Sequence, residues 1–163
     1  MDLGATLRAD LAPAGTDYAT RWTMRIWRTG QWLRLHDRTW WRPLALRACR
    51  VLHVVWVELL IGAVIPTTVS CGPGLRLMHG GRGVVFHFKT RIGSNCTIYH
   101  GVTIGARSGN TPPVIGDNVY IGNGASVLGA ITVGDGARIG AGAVVVSDVP
   151  AGATMVGVPA HAI

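Results

Sequence analysis

The sequence predicts a mainly β protein, a solenoid of six-residue rungs behind a short helical segment. The first observation behind this is a period. Aliphatic residues stand at Ile92, Ile98 and Ile104 and, after one interruption, at Ile115, Ile121, Val127, Val133, Ile139 and Val145. A helix repeats at about 3.6 residues and a strand at about 2, so a period of six marks hexapeptide rungs stacked as a solenoid. The second observation is what accompanies these residues. Glycine usually follows (Gly93, Gly105, Gly116, Gly122, Gly134, Gly140), and four places after the aliphatic residue come Cys96, Val102, Val119, Ala125, Ile131, Ala137, Ala143 and Val149, all small or aliphatic. The third is composition. Charged residues are only 14% and glycines number 23, which suits rungs that bury aliphatic side chains and turn on glycine.

The first 62 residues read differently from the rest. All six tryptophans (Trp22, Trp27, Trp32, Trp40, Trp41, Trp56) and nine of the fifteen Lys and Arg lie before residue 60. The spacing predicts two helices. Trp22, Ile26 and Leu33 lie roughly on one stripe, Leu44, Ala48, Val51, Val55 and Leu59 form another, and Arg42-Pro43 separates them. The boundary with the β part is expected at Gly62 to Pro66, giving a helical segment 1–62 and a solenoid 63–163. The helical segment is expected to cap the open end of the solenoid and pack against neighbouring subunits. The competing reading is an interfacial helix that touches a membrane surface, with Trp and Arg at headgroup level. The apolar run Val51 to Ile65, interrupted by Glu58, is too short to span a bilayer.

From Ile65 the repeat begins weakly through Cys71 to Leu77, is irregular from His79 to Lys89, and then runs regularly. One insertion, Gly105 to Val114, breaks it; such loops project from a solenoid corner and commonly form sites. The net charge of +7 comes almost wholly from dispersed arginines without a nucleic-acid-binding module, so an anionic small ligand is the expected partner and no nucleic acid. Cys49, Cys71 and Cys96 have no metal-like spacing and read as small hydrophobes of a reducing compartment. The N-terminus has no signal-peptide pattern, and a cytoplasmic location is expected.

Three stretches carry a family resemblance: the hexads IGDNVY, IGNGAS, VGDGAR and IGAGAV, the closing segment VVVSDVPAGATMVGVPAHAI, and the approach GPGLRLMHGGRGVVF. Together they resemble the hexapeptide-repeat acyltransferases, and most of all the serine acetyltransferase group and its relatives from polysaccharide gene clusters. The resemblance implies a left-handed parallel β-helix with three hexapeptides per coil. It also implies a homotrimer with acetyl-CoA bound between adjacent subunits, and no metal. It covers roughly residues 62 to 163; the family's longer helical N-terminal domain has no full counterpart here.

Acetyl transfer from a thioester to a hydroxyl needs a base for the hydroxyl proton and donors for the developing oxyanion. An imidazole, ordinarily titrating at about 6.5, suits the first role. By the resemblance, His79 stands where the family's catalytic histidine stands and acts as general base in direct transfer, and His100, in IYHGVT, lines the same cleft. The backbone positions expected along acetyl-CoA are Gly105, Ala106, Gly122, Asn123, Gly140 and Ala141. Ala106 offers an oxyanion amide, and Arg138 and Arg107 face the phosphates. His87 is a weaker candidate, and His36, His53 and His161 lie outside the motifs. The chain departs from true serine acetyltransferases at three places. Met78 replaces an aspartate before the histidine, Val64 replaces the aspartate that orients it, and Thr111-Pro112 replaces an Arg-His pair that handles serine. The expected function is therefore an acetyl-CoA-dependent O-acetyltransferase for a hydroxylated small molecule or sugar. Serine O-acetylation is the alternative, and a catalytically idle trimeric scaffold is the alternative from another class. A zinc carbonic anhydrase reading fails for want of paired histidines five residues apart.

Overall fold

In the computed structural model, which describes residues 2–12, 17–35 and 40–163, three helices lead into a parallel β-helix. The helices are α1 (Leu3–Leu11), α2 (Tyr18–Leu35) and α3 (Arg42–Leu52), the last continuing as a π-helical segment His53–Leu60. Pro43 sits in the first turn of α3, where its missing N–H costs nothing. Among the described residues no helix is long and apolar enough to cross a membrane.

Short strands then wind around three faces. β1 (Ser70–Cys71), β4 (Arg91–Ile92), β7 (Val114–Ile115) and β10 (Thr132–Val133) stack on the first face. β2 (Arg76–Leu77), β5 (Thr97–Ile98), β8 (Tyr120–Ile121), β11 (Arg138–Ile139) and β13 (Thr154–Val156) stack on the second, where β14 (His161–Ala162) closes the sheet as its antiparallel edge. β3 (Val85–Phe86), β6 (Thr103–Gly105), β9 (Ser126–Leu128) and β12 (Val144–Val145) form the third. All pairings but the last are parallel and in register, with Leu77 over Ile98 over Ile121 over Ile139. The β-helix of hexapeptide rungs expected from the sequence is the fold.

The period explains the core. From β2 to β13 each strand buries its second residue and exposes or half-buries its first, so Ile98, Ile104, Ile121, Val127, Val133, Ile139 and Val145 form fully buried inward ranks. The small residues four places on, such as Cys96, Val119, Ala125, Ala137 and Ala143, are buried at the turns between faces. Backbone groups pair coil to coil, as in Thr97 N to Val119 O at 2.9 Å and Tyr120 N to Ala137 O at 2.9 Å.

The first coil has no coil above it, and an uncovered edge leaves a row of backbone groups unpaired. Helix α2 covers it with side-chain donors. Trp27 Nε1 donates to Pro66 O at 3.1 Å, Gln31 Nε2 to Val69 O at 2.7 Å, Arg28 to Cys71 O at 2.9 Å and Gly72 O at 2.7 Å, and Thr20 Oγ1 to Leu77 O at 3.0 Å. Edge amides are met as well: Asp10 Oδ1 accepts from Gly74 N at 2.8 Å and Leu75 N at 2.9 Å. Asp10 and Arg28, both fully buried, also pair at 2.7 Å, which joins α1, α2 and the first coil.

The two helical stripes come out differently. On α2 the buried side is Thr20, Thr23, Met24, Ile26, Trp27, Gln31 and Leu33, while Trp22 is exposed. On α3 the predicted stripe faces outward: Leu44 is 72% exposed and Leu59 72%, with Val51 and Val55 also exposed. The side that packs inward instead carries Cys49, His53 and Val57. His53 is held there because its Nε2 donates to Ile65 O at 3.1 Å, a polar contact that an apolar period does not register.

Candidate active site

Regular rungs place inward residues six apart, as with Ile98 and Ile104, whereas Leu77 and Phe86 are nine apart on the first coil. The three extra residues are taken up in the four-residue 3-10 turn Met78–Gly81 at the corner between the second and third faces. Within it His79 adopts a left-handed backbone (φ 56, ψ 38), followed by Gly80 at φ 74 and Gly81 at φ 77. A non-glycine residue is rarely found there without surroundings that hold it. The turn lifts His79 out of the rung, and its side chain is exposed. Its ring lies edge-on to that of His100, centroids 5.1 Å apart, and 6.3 Å from Tyr99. The two predicted histidines are thus brought together. Among the described residues no carboxylate pairs with His79.

Below His79 the same corner recurs in every coil as a residue followed by a left-handed glycine: Arg82-Gly83, His100-Gly101, Asn123-Gly124 and Ala141-Gly142. The amides of Gly101, Gly124 and Gly142 donate to Arg82 O, His100 O and Asn123 O at 2.8, 3.0 and 2.9 Å. Gly122, Asn123, Gly140 and Ala141 therefore lie on one small-residue track with His79. A Cβ on Gly122 would fall 2.6 Å from Ala141 N, so coil packing itself demands glycine there.

Gly105 and Ala106 lie elsewhere, at the corner between the third and first faces where the insertion leaves the coil. A single chain therefore does not gather all the predicted positions. The insertion is tied to the coil above: Lys89 N donates to His87 Nδ1 at 3.2 Å, leaving His87 Nε2 to donate to Asn110 Oδ1 at 2.8 Å. Arg107 is exposed at the start of this loop, Thr111 is exposed and Pro112 is buried.

Sequence reasoning missed a rail beside His79. Tyr99 and Tyr120 lie 5.4 Å apart, and the Arg138 guanidinium sits 4.7 Å over the Tyr120 ring. Desolvation, and then the hydrogen bond with Tyr99, hold the Tyr120 phenol above its ordinary pKa. The signal was present: in coil register Tyr120 stands directly above Arg138. Asp117, Asp135 and Asp148 are occupied as corner caps, accepting from Ser94 N at 2.6 Å, Asp117 N at 2.7 Å and Thr132 N at 2.8 Å. His161 lies on the closing strand β14, and His36 lies outside the described residues. A cavity of about 680 Å³ between α2, α3 and Pro66–Thr68 is lined by Arg34, Arg42, Arg50 and His53 and shares no residue with the His79 corner.

Comparison with known proteins bears on this geometry. Residues 112–147 match the bacterial transferase hexapeptide (six repeats) family, and residues 89–109 match the hexapeptide repeat of succinyl-transferase. A serine acetyltransferase of Helicobacter pylori is 49% identical over 107 residues, which cover 64% of this chain and 62% of the relative. Soybean serine acetyltransferase complexed with serine superposes with a TM-score of 0.77 at 33% identity, covering 99% of this chain and 68% of that one. A serine acetyltransferase in complex with CoA superposes at 0.76 with 25% identity, covering 99% of this chain and 67% of that one. This chain thus spans less than two thirds of the length of the Helicobacter relative. By sequence and by fold together, the chain belongs to the serine acetyltransferase family of hexapeptide-repeat transferases.

Proposed function

We propose that this chain is an acetyl-CoA-dependent O-acetyltransferase that moves an acetyl group to a hydroxyl of a small molecule or sugar. The observation that carries the reading is the His79 turn. A three-residue interruption of an otherwise regular coil holds an imidazole out beside His100, at the head of a track of small residues. His79 takes the acceptor's hydroxyl proton as the oxygen attacks the thioester carbonyl. The tetrahedral intermediate then collapses to the acetyl ester and CoA thiolate, and the imidazolium returns the proton to the thiolate. No acyl-enzyme is needed.

The small-residue track of Gly122, Asn123, Gly140 and Ala141 lets the pantetheine amides approach backbone groups, and Arg138 and Arg107 supply positive charge for the phosphates. The Ala106 amide is the oxyanion donor. Because Gly105 and Ala106 stand at a different corner from His79, one complete site requires two subunits, which supports a homotrimer with sites between neighbours. The outward apolar side of α3 then packs against those neighbours. The competing occupant is a membrane surface, favoured by Trp40 at 92% exposure and by exposed Arg47 and Arg50 on α3. Co-flotation with anionic vesicles separates the two.

Serine is the acceptor named for the relatives, and it is the second reading here. Against it, the loop exposes Thr111 and buries Pro112, and neither side chain carries a charge to match the ammonium or the carboxylate of an amino acid. The test is CoA release from acetyl-CoA with L-serine, other hydroxy amino acids and sugars as acceptors. His79→Ala is expected to lower kcat by about 10² to 10⁴ with CoA binding intact. Retained activity in the variant, or no release with any acceptor, would sink the proposal. Release with serine alone decides for the second reading.

A further inference from the structure

Among the described residues no carboxylate holds His79, yet its backbone is fixed in a conformation that must be held by something. We propose that Thr20, on α2, is the positioning residue for His79; the inference rests on His79 being the base. The Thr20 hydroxyl donates to Leu77 O at 3.0 Å and accepts from Gly80 N at 2.9 Å. Those two groups bracket the histidine, two residues before it and one after. One buried oxygen, 60 residues away in sequence from Gly80, therefore pins both ends of the left-handed step.

The surroundings of this clamp are built to the same end. Asp17 Oδ1 accepts from Thr20 N at 2.6 Å, which fixes the start of α2 and hence the Thr20 backbone. A Cβ on Gly80 would lie 2.8 Å from Ala19 Cβ, so α2 rests directly on the turn. With α2 seated on the first coil by Trp27, Arg28 and Gln31, the clamp cannot slide. Thr20 does not touch the reacting atoms. It sets the pitch of the His79 backbone, and so the direction in which the imidazole leaves the corner toward His100.

The consequence is specific to the hydroxyl. Thr20→Val keeps the shape and removes both bonds, whereas Thr20→Ser keeps the oxygen and drops a methyl group. If the clamp positions the base, Thr20→Val lowers kcat by about tenfold to a hundredfold, the scale on which small misplacements act. KM for acetyl-CoA stays within about twofold, because the small-residue track is untouched, and Thr20→Ser restores most of kcat. Amide hydrogen exchange gives a readout independent of turnover: Gly80 N–H is protected in the wild type and in Thr20→Ser, and exchanges faster in Thr20→Val. Faster exchange at Gly80 with an unchanged kcat overturns the proposal, as does a Thr20→Ser variant as impaired as Thr20→Val. Should the wild type itself release no CoA with any acceptor, the functional reading fails, and the positioning role fails with it however well Gly80 is protected.

Discussion

The first coil and the third-to-fourth coils solve one backbone problem by opposite means. In the regular coils each strand finds the next coil's amides and carbonyls, and side chains need only fill the interior, so the ranks Ile121 over Ile139 and Val127 over Val145 repeat almost unchanged. The first coil lacks a neighbour on one side. Its carbonyls are met one at a time by Trp27, Arg28, Gln31 and Thr20, and its amides by Asp10 and Thr20, none of which repeats. Repetition gives stability with little information. The irregular end, where each residue has a unique partner, is where a histidine can be mounted in a conformation that a regular rung would not provide.

The contrast is broken most severely at Arg28. Its guanidinium meets Asp10, Gln31 Oε1, Cys71 O and Gly72 O and lies 4.8 Å from the centroid of the Trp27 ring, with no exposed surface. Arg28→Ala leaves the Asp10 carboxylate buried without its counter-charge and strands the carbonyls, so a loss of about 3–5 kcal/mol is expected in urea denaturation. Replacing both partners by apolar residues (Asp10→Leu with Arg28→Met) often relieves such a pair elsewhere. Here it should not, because Asp10 also accepts from Gly74 and Leu75. A double variant as stable as the wild type would show that the polar cap is dispensable.

The regular coils are expected to yield less to single changes. Ile121→Ala removes one fully buried member of a rank and should cost about 2–5 kcal/mol, while Ile139→Val should cost about 0.5–1.5 kcal/mol. In neither case does a buried polar group lose its partner. If Ile139→Val proved as damaging as Arg28→Ala in the same denaturation series, the distinction between repeated and unique contacts would not hold.

That distinction also explains what could be read from the sequence. A strict period of six is a one-dimensional signal, and it located the inward ranks, the insertion and the interruption around His79. The family pattern then singled out His79 and His100, whose rings the fold places 5.1 Å apart. Thr20 gave no signal, because its partners Leu77 and Gly80 are 57 and 60 residues away and a threonine in a helix is unremarkable by type. Arg28 and Asp10 gave no signal either, because two opposite charges 18 residues apart do not mark a buried pair by their spacing. The apolar stripe of α3 was legible as a stripe but not as to which way it faces, since hydrophobic spacing marks an apolar side without saying what covers it. Tyr99 and Tyr120 become visible only when coils are laid in register.

The smallest effect concerns the cysteines, of which Cys71 lies in the first coil, Cys96 in the second and Cys49 on α3. Burial pushes the Cys71 thiol of the first coil up to about 12, and burial raises Cys49 and Cys96 as well. A raised thiol pKa means little thiolate at pH 8, and the thiolate is the reactive form. A disulfide reagent should therefore label the native protein slowly at all three positions and rapidly once it is unfolded. The sign for stability follows. Unfolded Cys71 loses its proton near its ordinary 9.0 and the folded thiol only near about 12, so its contribution is complete below pH 9.0 and is lost as pH climbs through that window. Fast labelling of Cys71 alone in the native protein would place the opening at the helix-capped edge; fast labelling of Cys96 alone would place it in the regular coils and reverse the comparison.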